Sequence, residues 1–361
     1  MSSDRETLKA AFLSAHGFGD ARREPLGGDA STRSYERLYL GEHSLIFMDQ
    51  PPSVETAPCP PDATPAQRDA LGYNALARLA AGRVDAFVAC AGWLKAQGLS
   101  APAVLAADPA AGLAVLEDLG DDLYARLIEA GTDEAPLYDA AIDGLLAIHA
   151  APPPGVLDFD GSTWPLLTYD DLALKTAHDI FVEWQPKFRP VTFDAAALAA
   201  WEALWAPIRA RGEAGATVFC HRDYHAENLI WLPDRQGAAR VGLLDFQDAV
   251  LAHPAWDLSM LLHDARRTVS PQREAASLER YLAARPDLDR TAFLADYHAL
   301  GALNIMRILG IFARLVTRDG KPRYADFIPR LWTYLDVCLA NPALADLRTW
   351  LDAHVPVETR R

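Results

Sequence analysis

Eight consecutive residues of the chain, HRDYHAEN at 221–228, contain two histidines, two acids and an asparagine, with an apolar run on each side. Imidazole nitrogens, carboxylates and amide oxygens bind metal ions or carry protons. Taken alone, the stretch could be a metal site, a catalytic loop or a polar turn. A second polar stretch, LDFQD at 244–248, follows shortly afterwards. The chemistry depends on whether the fold brings the two stretches together.

The residues between these stretches have the pattern of a β-hairpin. Two apolar runs, LIWL at 229–232 and VGLL at 241–244, flank a turn that contains Asp234 and Gly237. The strands of a hairpin run antiparallel, so the residues just outside them lie at the same open end. We therefore expect a pocket that holds Asp223, Asn228 and Asp245.

Such a trio suits phosphoryl transfer. Amide and carboxylate oxygens are the hard ligands that hold Mg²⁺, and a separate carboxylate can orient an attacking hydroxyl and accept its proton. A metal hydrolase is the rival interpretation. His221 and His225 lie in a predicted turn rather than on an HExxH helix, and no further ligand cluster appears in the sequence. We expect His221 to brace the loop, while His225 could either brace it or contact the substrate.

The elements that position these residues divide the chain into two parts. Strand patterns at 26–40, 43–48 and 113–116, with a helix at 85–97, mark a β-rich part that ends near Gly120. After Asp121 helical patterns dominate, and strand patterns remain only at 218–220, 229–231 and 241–244. The prediction is an α+β protein, with a small β-rich lobe over residues 1–120 and a larger helical lobe over residues 121–361.

Composition limits the classes of function. Half of the 361 residues are hydrophobic, which indicates a globular protein, and the formal net charge of −15 argues against a nucleic-acid partner. The N-terminal residues MSSDRETLKAAF are charged and predict no signal peptide, and no run of 18 apolar residues occurs, so we expect no membrane span. Four scattered cysteines make zinc and disulfides improbable and indicate a cytoplasmic protein. No obligate protein partner is indicated.

The two polar stretches resemble the catalytic and metal-binding loops of the aminoglycoside phosphotransferase-like kinases, whose patterns are HxDxxxxN and then IDF or LDF. These enzymes are relatives of the protein kinases, so the resemblance implies a bilobal kinase-like fold with ATP between the lobes. By position, Asp223 resembles the catalytic base, and Asn228 and Asp245 resemble the Mg²⁺ ligands.

The resemblance also implies a nucleotide site. The segment 117–120 resembles the hinge, where the backbone of Glu117 and Leu119 would bond the adenine. The segment 28–33 would cover the phosphates, with contacts from these residues: Gly28, Ser31, Thr32 and Arg33. Related kinases carry a lysine in the third strand to hold the phosphates, and Met48 stands there in LIFMDQ. We expect Arg33, together with Mg²⁺, to supply the missing cation.

Several shorter strings, including GDASTRSY, LEDLGDDLY and GIFARLVTRDGKPRY, resemble the bacterial anomeric kinases of cell-wall amino sugars. These enzymes phosphorylate C1 of N-acetylmuramate and N-acetylglucosamine during peptidoglycan recycling. A kinase of another small alcohol (an aminoglycoside, a choline-like or an amino-alcohol substrate) is an alternative, as is a nucleotide-binding module without turnover.

Candidate substrate contacts come from two regions besides His225. Arg307 and Arg314 share one face of a predicted helix and could bind a sugar carboxylate or a phosphate, although a solvated face fits equally well. Tyr169 and Asp170 head another helix and could lean into the cleft, although core packing is at least as reasonable. The two arginines favour a sugar acid over a polycationic aminoglycoside. The sequence leaves open the preferred sugar, the nucleotide preference, the oligomeric state and the role of residues 51–66.

Overall fold

A computed structural model describes residues 2–27, 33–51 and 58–360. The predicted phosphate-covering residues Gly28, Ser31 and Thr32 lie outside these ranges. The strands are β1 (Arg22–Leu26), β2 (Ser34–Leu40), β3 (His43–Asp49), β4 (Val104–Asp108), β5 (Leu113–Glu117), β6 (Val156–Phe159), β7 (Ser162–Pro165), β8 (Val218–Cys220), β9 (Leu229–Trp231), β10 (Val241–Leu243) and β11 (Val250–Ala252).

The helices are α1 (Ser2–Ala15), α2 (Pro65–Leu71), α3 (Tyr73–Leu76), α4 (Val84–Ala96), α5 (Tyr124–Glu129), α6 (Glu134–Ala150), α7 (Asp171–Phe188), α8 (Ala195–Ala214), α9 (Ala255–Leu262), α10 (Pro271–Ala283), α11 (Arg290–Thr317), α12 (Ile328–Leu339) and α13 (Ala345–His354). Helix α4 matches the predicted helix at 85–97 to within one residue at each end.

The chain forms two compact units. The first contains residues 1–132, 154–166 and 227–249, and the second contains residues 133–153, 167–226 and 250–361. The first unit is β-rich and the second is mainly helical, as the α+β prediction requires. The sequence suggested one boundary near residue 120, whereas the β9–β10 hairpin belongs to the first unit although it comes late in the chain.

The first unit is built on a five-stranded antiparallel sheet with the strand order β1-β2-β3-β5-β4. Helix α1 covers one face, where Phe12 packs in a buried cluster with Leu38 and Phe47. Since successive side chains of a strand point to opposite faces, Met48 lies on the other face of β3, directly opposite Tyr35 of β2. The sheet thus separates an apolar face beneath α1 from a face that carries Met48 and Tyr35.

A short hairpin of β6 and β7 packs against α4 in the first unit, and the sequence analysis missed it. Its turn, Asp160-Gly161, has positive φ at both residues (49° and 75°), as a two-residue hairpin turn of type I′ requires. The Asp-Gly pair was therefore a readable signal. Strand β11, which pairs with β8, was also not predicted.

Helix α11 runs through the core of the second unit. It is long and apolar enough to cross a membrane by length and composition, but 72% of its most apolar window is buried inside the protein, as in a core helix. Its Gly310 lies against the backbone of α7, and a Cβ placed there would be 2.5 Å from the carbonyl carbon of Ile180. Close backbone contact between α7 and α11 therefore requires glycine at this position.

We expect Gly310→Ala to lower the free energy of unfolding by about 2–3 kcal/mol, because the added methyl group meets backbone atoms rather than a side chain that can rotate away. The better helix propensity of alanine offsets only about 1 kcal/mol. The free energy of unfolding would be measured by urea denaturation. Gly155→Ala is the matched control, since a Cβ there meets nothing within 4 Å. Equal stability of the two variants would contradict the close packing of the helices.

Candidate active site

A buried carboxylate fixes the loop that carries Asp223. Asp257 lies on α9 and is fully buried, and its oxygens accept hydrogen bonds from the backbone N–H groups of His221 (2.6 Å) and Arg222 (2.9 Å). Burial raises the pKa of Asp257. Arg222 has φ = 74°, a conformation that costs a non-glycine residue about 1 kcal/mol or more, and these two bonds help to hold it. The loop therefore turns sharply just before Asp223.

Asp257 ties helix α9 to the loop rather than capping the helix. Helix α9 begins at Ala255, so Asp257 lies inside its first turn, and both carboxylate oxygens are bonded to the loop. His221 is also buried, and its Nδ1 lies 3.3 Å from the backbone nitrogen of Asp223, which donates to it. The geometry of His221 thus agrees with its expected bracing role.

Asp223 and His225 line a pocket of about 140 Å³ within the second unit. The other lining residues come from α9, the segment after it and α11: Met260, His263, Asp264, Ala265, Arg266, Arg307, Ile308, Ile311 and Phe312. One Nη of Arg307 lies 3.9 Å from a carboxylate oxygen of Asp223. The pocket therefore places a carboxylate and a guanidinium beside each other.

Arg307 is held in this position by its neighbours. Its Nε donates to the side-chain oxygen of Asn304 (2.9 Å), and its guanidinium lies 5.8 Å from the centre of the Trp256 ring. The Arg307 side chain is only 13% exposed. A guanidinium fixed on its Nε side presents its remaining N–H groups in a set direction, as anion recognition requires.

His263 lines the pocket and is paired with the Glu274 carboxylate. The ring is fully buried, and its Nε2 lies 3.1 Å from the Glu274 carboxylate. Burial alone lowers the pKa of His263, but Cys338 and Glu274 raise it to about 10, so the ring is protonated near neutral pH. The charge of Asp264 is balanced, since Arg267 lies 3.4 Å from one of its oxygens.

Sequence reasoning missed His263 and Asp264 because the string LLHDARR has no spacing that marks a site. Three predicted substrate contacts do not line the pocket. Tyr169 is buried edge-on against Trp256, with ring centres 4.8 Å apart. The carboxylate of Asp170 caps α7 by accepting from the backbone of Ala173 (3.0 Å). Arg314 is also outside the lining set. The geometry of the described residues supports His225 and Arg307 as substrate contacts but gives no support to these three.

The β9–β10 hairpin of the first unit has the geometry that the sequence predicts. Leu229 pairs with Leu243, and the backbone N–H of Leu244 donates to the carbonyl of Asn228 (3.0 Å). Asn228 and Asp245 therefore lie at the same end of the hairpin. Asp245 has φ = 61° and a side chain that is 41% exposed, so its carboxylate is turned out of the strand direction towards solvent. Hard oxygen donors in this arrangement fit Mg²⁺.

Arg33 bonds directly to this candidate metal ligand. One Nη donates to Asp245 Oδ1 (2.8 Å), and the other donates to the side-chain oxygen of Gln247 (2.9 Å) and to the Tyr35 hydroxyl (3.3 Å). The Gln247 amide nitrogen donates in turn to the same Asp245 oxygen (3.0 Å). Burial lowers the pKa of Arg33, but its acidic neighbours outweigh this effect and raise the pKa, so the guanidinium stays charged.

The predicted hinge also lies in the first unit. Glu117 ends β5, and its carboxylate accepts from Arg235 (2.6 Å) and from the backbone N–H of Ala103 (3.0 Å). Leu119 is buried, and its side chain would lie 3.1 Å from a Cβ at Gly242. These bonds join the end of β5 to the turn of the β9–β10 hairpin. The adenine contacts of Glu117 and Leu119 stay predictions.

Proteins of similar sequence or fold are kinases by name. A protein of Caulobacter vibrioides named N-acetylmuramate/N-acetylglucosamine kinase is 87% identical over 361 residues, which cover all of this chain and 99% of the relative. A Pseudomonas aeruginosa protein of the same name is 30% identical and covers 92% of this chain and 89% of its own. A choline/ethanolamine kinase family protein from Mesorhizobium loti shares the fold, with a TM-score of 0.57 and 16% identity, over 96% of this chain and 99% of its own.

The family model described as the phosphotransferase enzyme family matches residues 22–294. This range includes the loop at 221–228, the β9–β10 hairpin and the sheet that carries Met48. The chain belongs to the phosphotransferase enzyme family, with a kinase-like fold and an activity that implies ATP as the donor.

Proposed function

We propose that the protein transfers the γ-phosphoryl group of ATP to the anomeric (C1) hydroxyl of N-acetylmuramate or N-acetylglucosamine, a reaction used in peptidoglycan recycling. The observation that carries this proposal is the Asp223 carboxylate in a pocket beside Arg307. The high identity to a relative named for these two sugars supports the choice of acceptor. A nucleotide donor and four unpaired cysteines fit a cytoplasmic location.

Asp223 has the role of orienting the acceptor. Its carboxylate accepts a hydrogen bond from the C1 hydroxyl and takes the proton as the oxygen–phosphorus bond forms and the bond to the ADP leaving group breaks. An anomeric hydroxyl is more acidic than an ordinary alcohol, so an ordinary carboxylate suffices as the base. The rigid loop held by Asp257 keeps the carboxylate in place, and positioning of this kind is the main source of rate in phosphoryl transfer.

The charges of the pocket favour this acceptor over the alternatives. Arg266 and Arg307 give the lining two guanidinium groups. Asp264 is paired with Arg267, so these guanidiniums outweigh the Asp223 carboxylate and disfavour a polycationic aminoglycoside or the fixed cation of choline. A neutral or acidic sugar meets no such repulsion. Arg307 lies beside Asp223 and hence beside the reacting hydroxyl, so we assign it to the phosphoryl group in transfer rather than to the distant sugar carboxylate.

The donor groups belong to the first unit. Asn228 and Asp245 offer oxygen ligands at the end of the β9–β10 hairpin, and Mg²⁺ bound there would neutralise phosphate charge. Met48 is buried and supplies no cation. Arg33 donates a hydrogen bond to Asp245, and this position supports its expected role at the phosphates. The backbone of Glu117 and Leu119 is proposed to hold the adenine.

The first test identifies the product. With N-acetylmuramate and ATP, phosphorus NMR is expected to show a sugar 1-phosphate, and Asp223→Asn is expected to lower kcat at least about 1,000-fold because the amide cannot accept the proton. Asp326→Asn, a change of the same type away from the pocket, is the control. A 6-phosphate product, or turnover only with choline or an aminoglycoside in an acceptor panel, would overturn the proposal.

A second prediction concerns Arg307. We expect Arg307→Gln to lower kcat roughly 100-fold, and by the same factor for N-acetylmuramate and N-acetylglucosamine, because the lost contact is to the phosphoryl group that both reactions share. Steady-state kinetics with both sugars measures this. Arg290→Gln, an exposed arginine near the start of the same helix, is the control. A loss confined to N-acetylmuramate would instead place Arg307 at the sugar carboxylate.

A further inference from the structure

The side chains of Arg33, Asp245 and Gln247 form a closed ring of hydrogen bonds. Arg33 donates to Asp245 and to Gln247, and Gln247 donates to Asp245, with all three distances between 2.8 and 3.0 Å. The Arg33 side chain is 12% exposed and the Asp245 side chain is 41% exposed, so the ion pair lies at the edge of solvent, where a bound metal ion can reach the carboxylate. Both bonds to Asp245 end on the same oxygen, Oδ1.

A magnesium ion on Asp245 and the guanidinium of Arg33 would compete for the same carboxylate. Two positive groups a few ångströms apart repel each other, and one carboxylate cannot neutralise three positive charges. Binding of the metal therefore weakens the hold of Asp245 on Arg33. Gln247 is neutral and can keep its bond to Asp245 when Arg33 leaves, so the carboxylate stays oriented.

We propose that Arg33 is a displaceable cation. It occupies Asp245 while the metal is absent, and when Mg·ATP binds it moves from Asp245 to the phosphates. This inference rests on the proposed kinase function, and it adds a mechanism by which metal and nucleotide become coupled. Met48 explains why an exchange is needed, since the strand position that could hold a fixed lysine carries a buried thioether instead. Gln247 acts as the positioning residue of the exchange.

The proposal predicts that one substitution changes two dissociation constants in opposite directions. In Arg33→Gln the metal has no competitor, so the Kd of Mg²⁺ for the nucleotide-free protein is expected to fall about tenfold. The phosphates lose a cation, so the Kd of the Mg²⁺ complex of a non-hydrolysable ATP analogue is expected to rise about tenfold. These factors correspond to couplings of about 1.4 kcal/mol, which is typical of linked sites. Isothermal titration calorimetry measures both constants without any turnover.

Arg23→Gln is the matched control, because Arg23 lies on the same sheet and pairs with Glu36 at 2.6 Å on the face covered by α1. It removes the same charge from the same unit and should change neither constant. If Arg33→Gln melts at a much lower temperature than the natural protein, Arg33→Lys replaces it, and smaller shifts of the same two signs are expected. Two shifts in the same direction, or no shift in either, would overturn the exchange.

The same titrations in EDTA separate displacement from simple phosphate binding. Without metal, Arg33 stays on Asp245, so Arg33→Gln should change the Kd of the free analogue less than twofold. An equal loss with and without Mg²⁺ would mean that Arg33 reaches the phosphates independently of the metal. No sugar is present in these measurements. If the sugar 1-phosphate forms but the two dissociation constants do not shift as expected, only this inference is overturned. If the constants shift as expected but no sugar 1-phosphate forms, only the proposed function is overturned.

Discussion

The antiparallel pairing of β9 and β10 is the constraint on which the candidate metal site depends. Leu229 lies opposite Leu243, and the bond from Leu244 to the carbonyl of Asn228 continues the ladder by one step. A shift of this register by one residue would send Asp245 to the other face of the hairpin. The positive φ of Asp245 then turns its carboxylate away from the strand. Every role given to Asp245, including its bond to Arg33, requires this local geometry.

The loop before Asp223 is fixed by a different means for the same purpose. A fully buried carboxylate is costly unless its oxygens are well bonded, and Asp257 meets that requirement by accepting from two successive backbone N–H groups. The bonds hold Arg222 at positive φ, so part of the interaction energy is stored as local strain. Each unit thus places a carboxylate of the candidate site at or directly after a residue with positive φ, where few side chains would otherwise be tolerated.

The sequence predicts local geometry well and long-range contacts poorly. The hairpin, the end at which Asn228 and Asp245 meet and the bracing by His221 follow from patterns within about 25 residues, since turn chemistry and strand period act locally. The bond between Arg33 and Asp245 joins residues 212 positions apart, and no periodicity records it. The family resemblance pointed to Arg33 only because Met48 left a cation unaccounted for.

The residues near the pocket show the same limit of sequence patterns. Tyr169 and Asp170 have the types that bind sugars, but an aromatic ring at a helix start packs in the core as readily as it lines a cleft. No sequence pattern marks His263 as part of a site, and its charge depends on Glu274, which lies on α10. Charge in this pocket is thus a property of packed helices rather than of any one segment.

The position of positive charge in the first unit follows from the cost of burial. A lysine at Met48 would place an ammonium at a buried position near the end of β3, where desolvation must be balanced at all times by a permanent acidic partner. Arg33 stands one residue before β2 and has a long side chain, so it can exchange one anionic partner for another without moving the sheet. The protein is acidic, with a net charge of −15. An arginine that changes partners neutralises the Asp245 carboxylate while the metal is absent and the phosphates once the nucleotide is bound. This makes the loss of the strand lysine compatible with nucleotide binding.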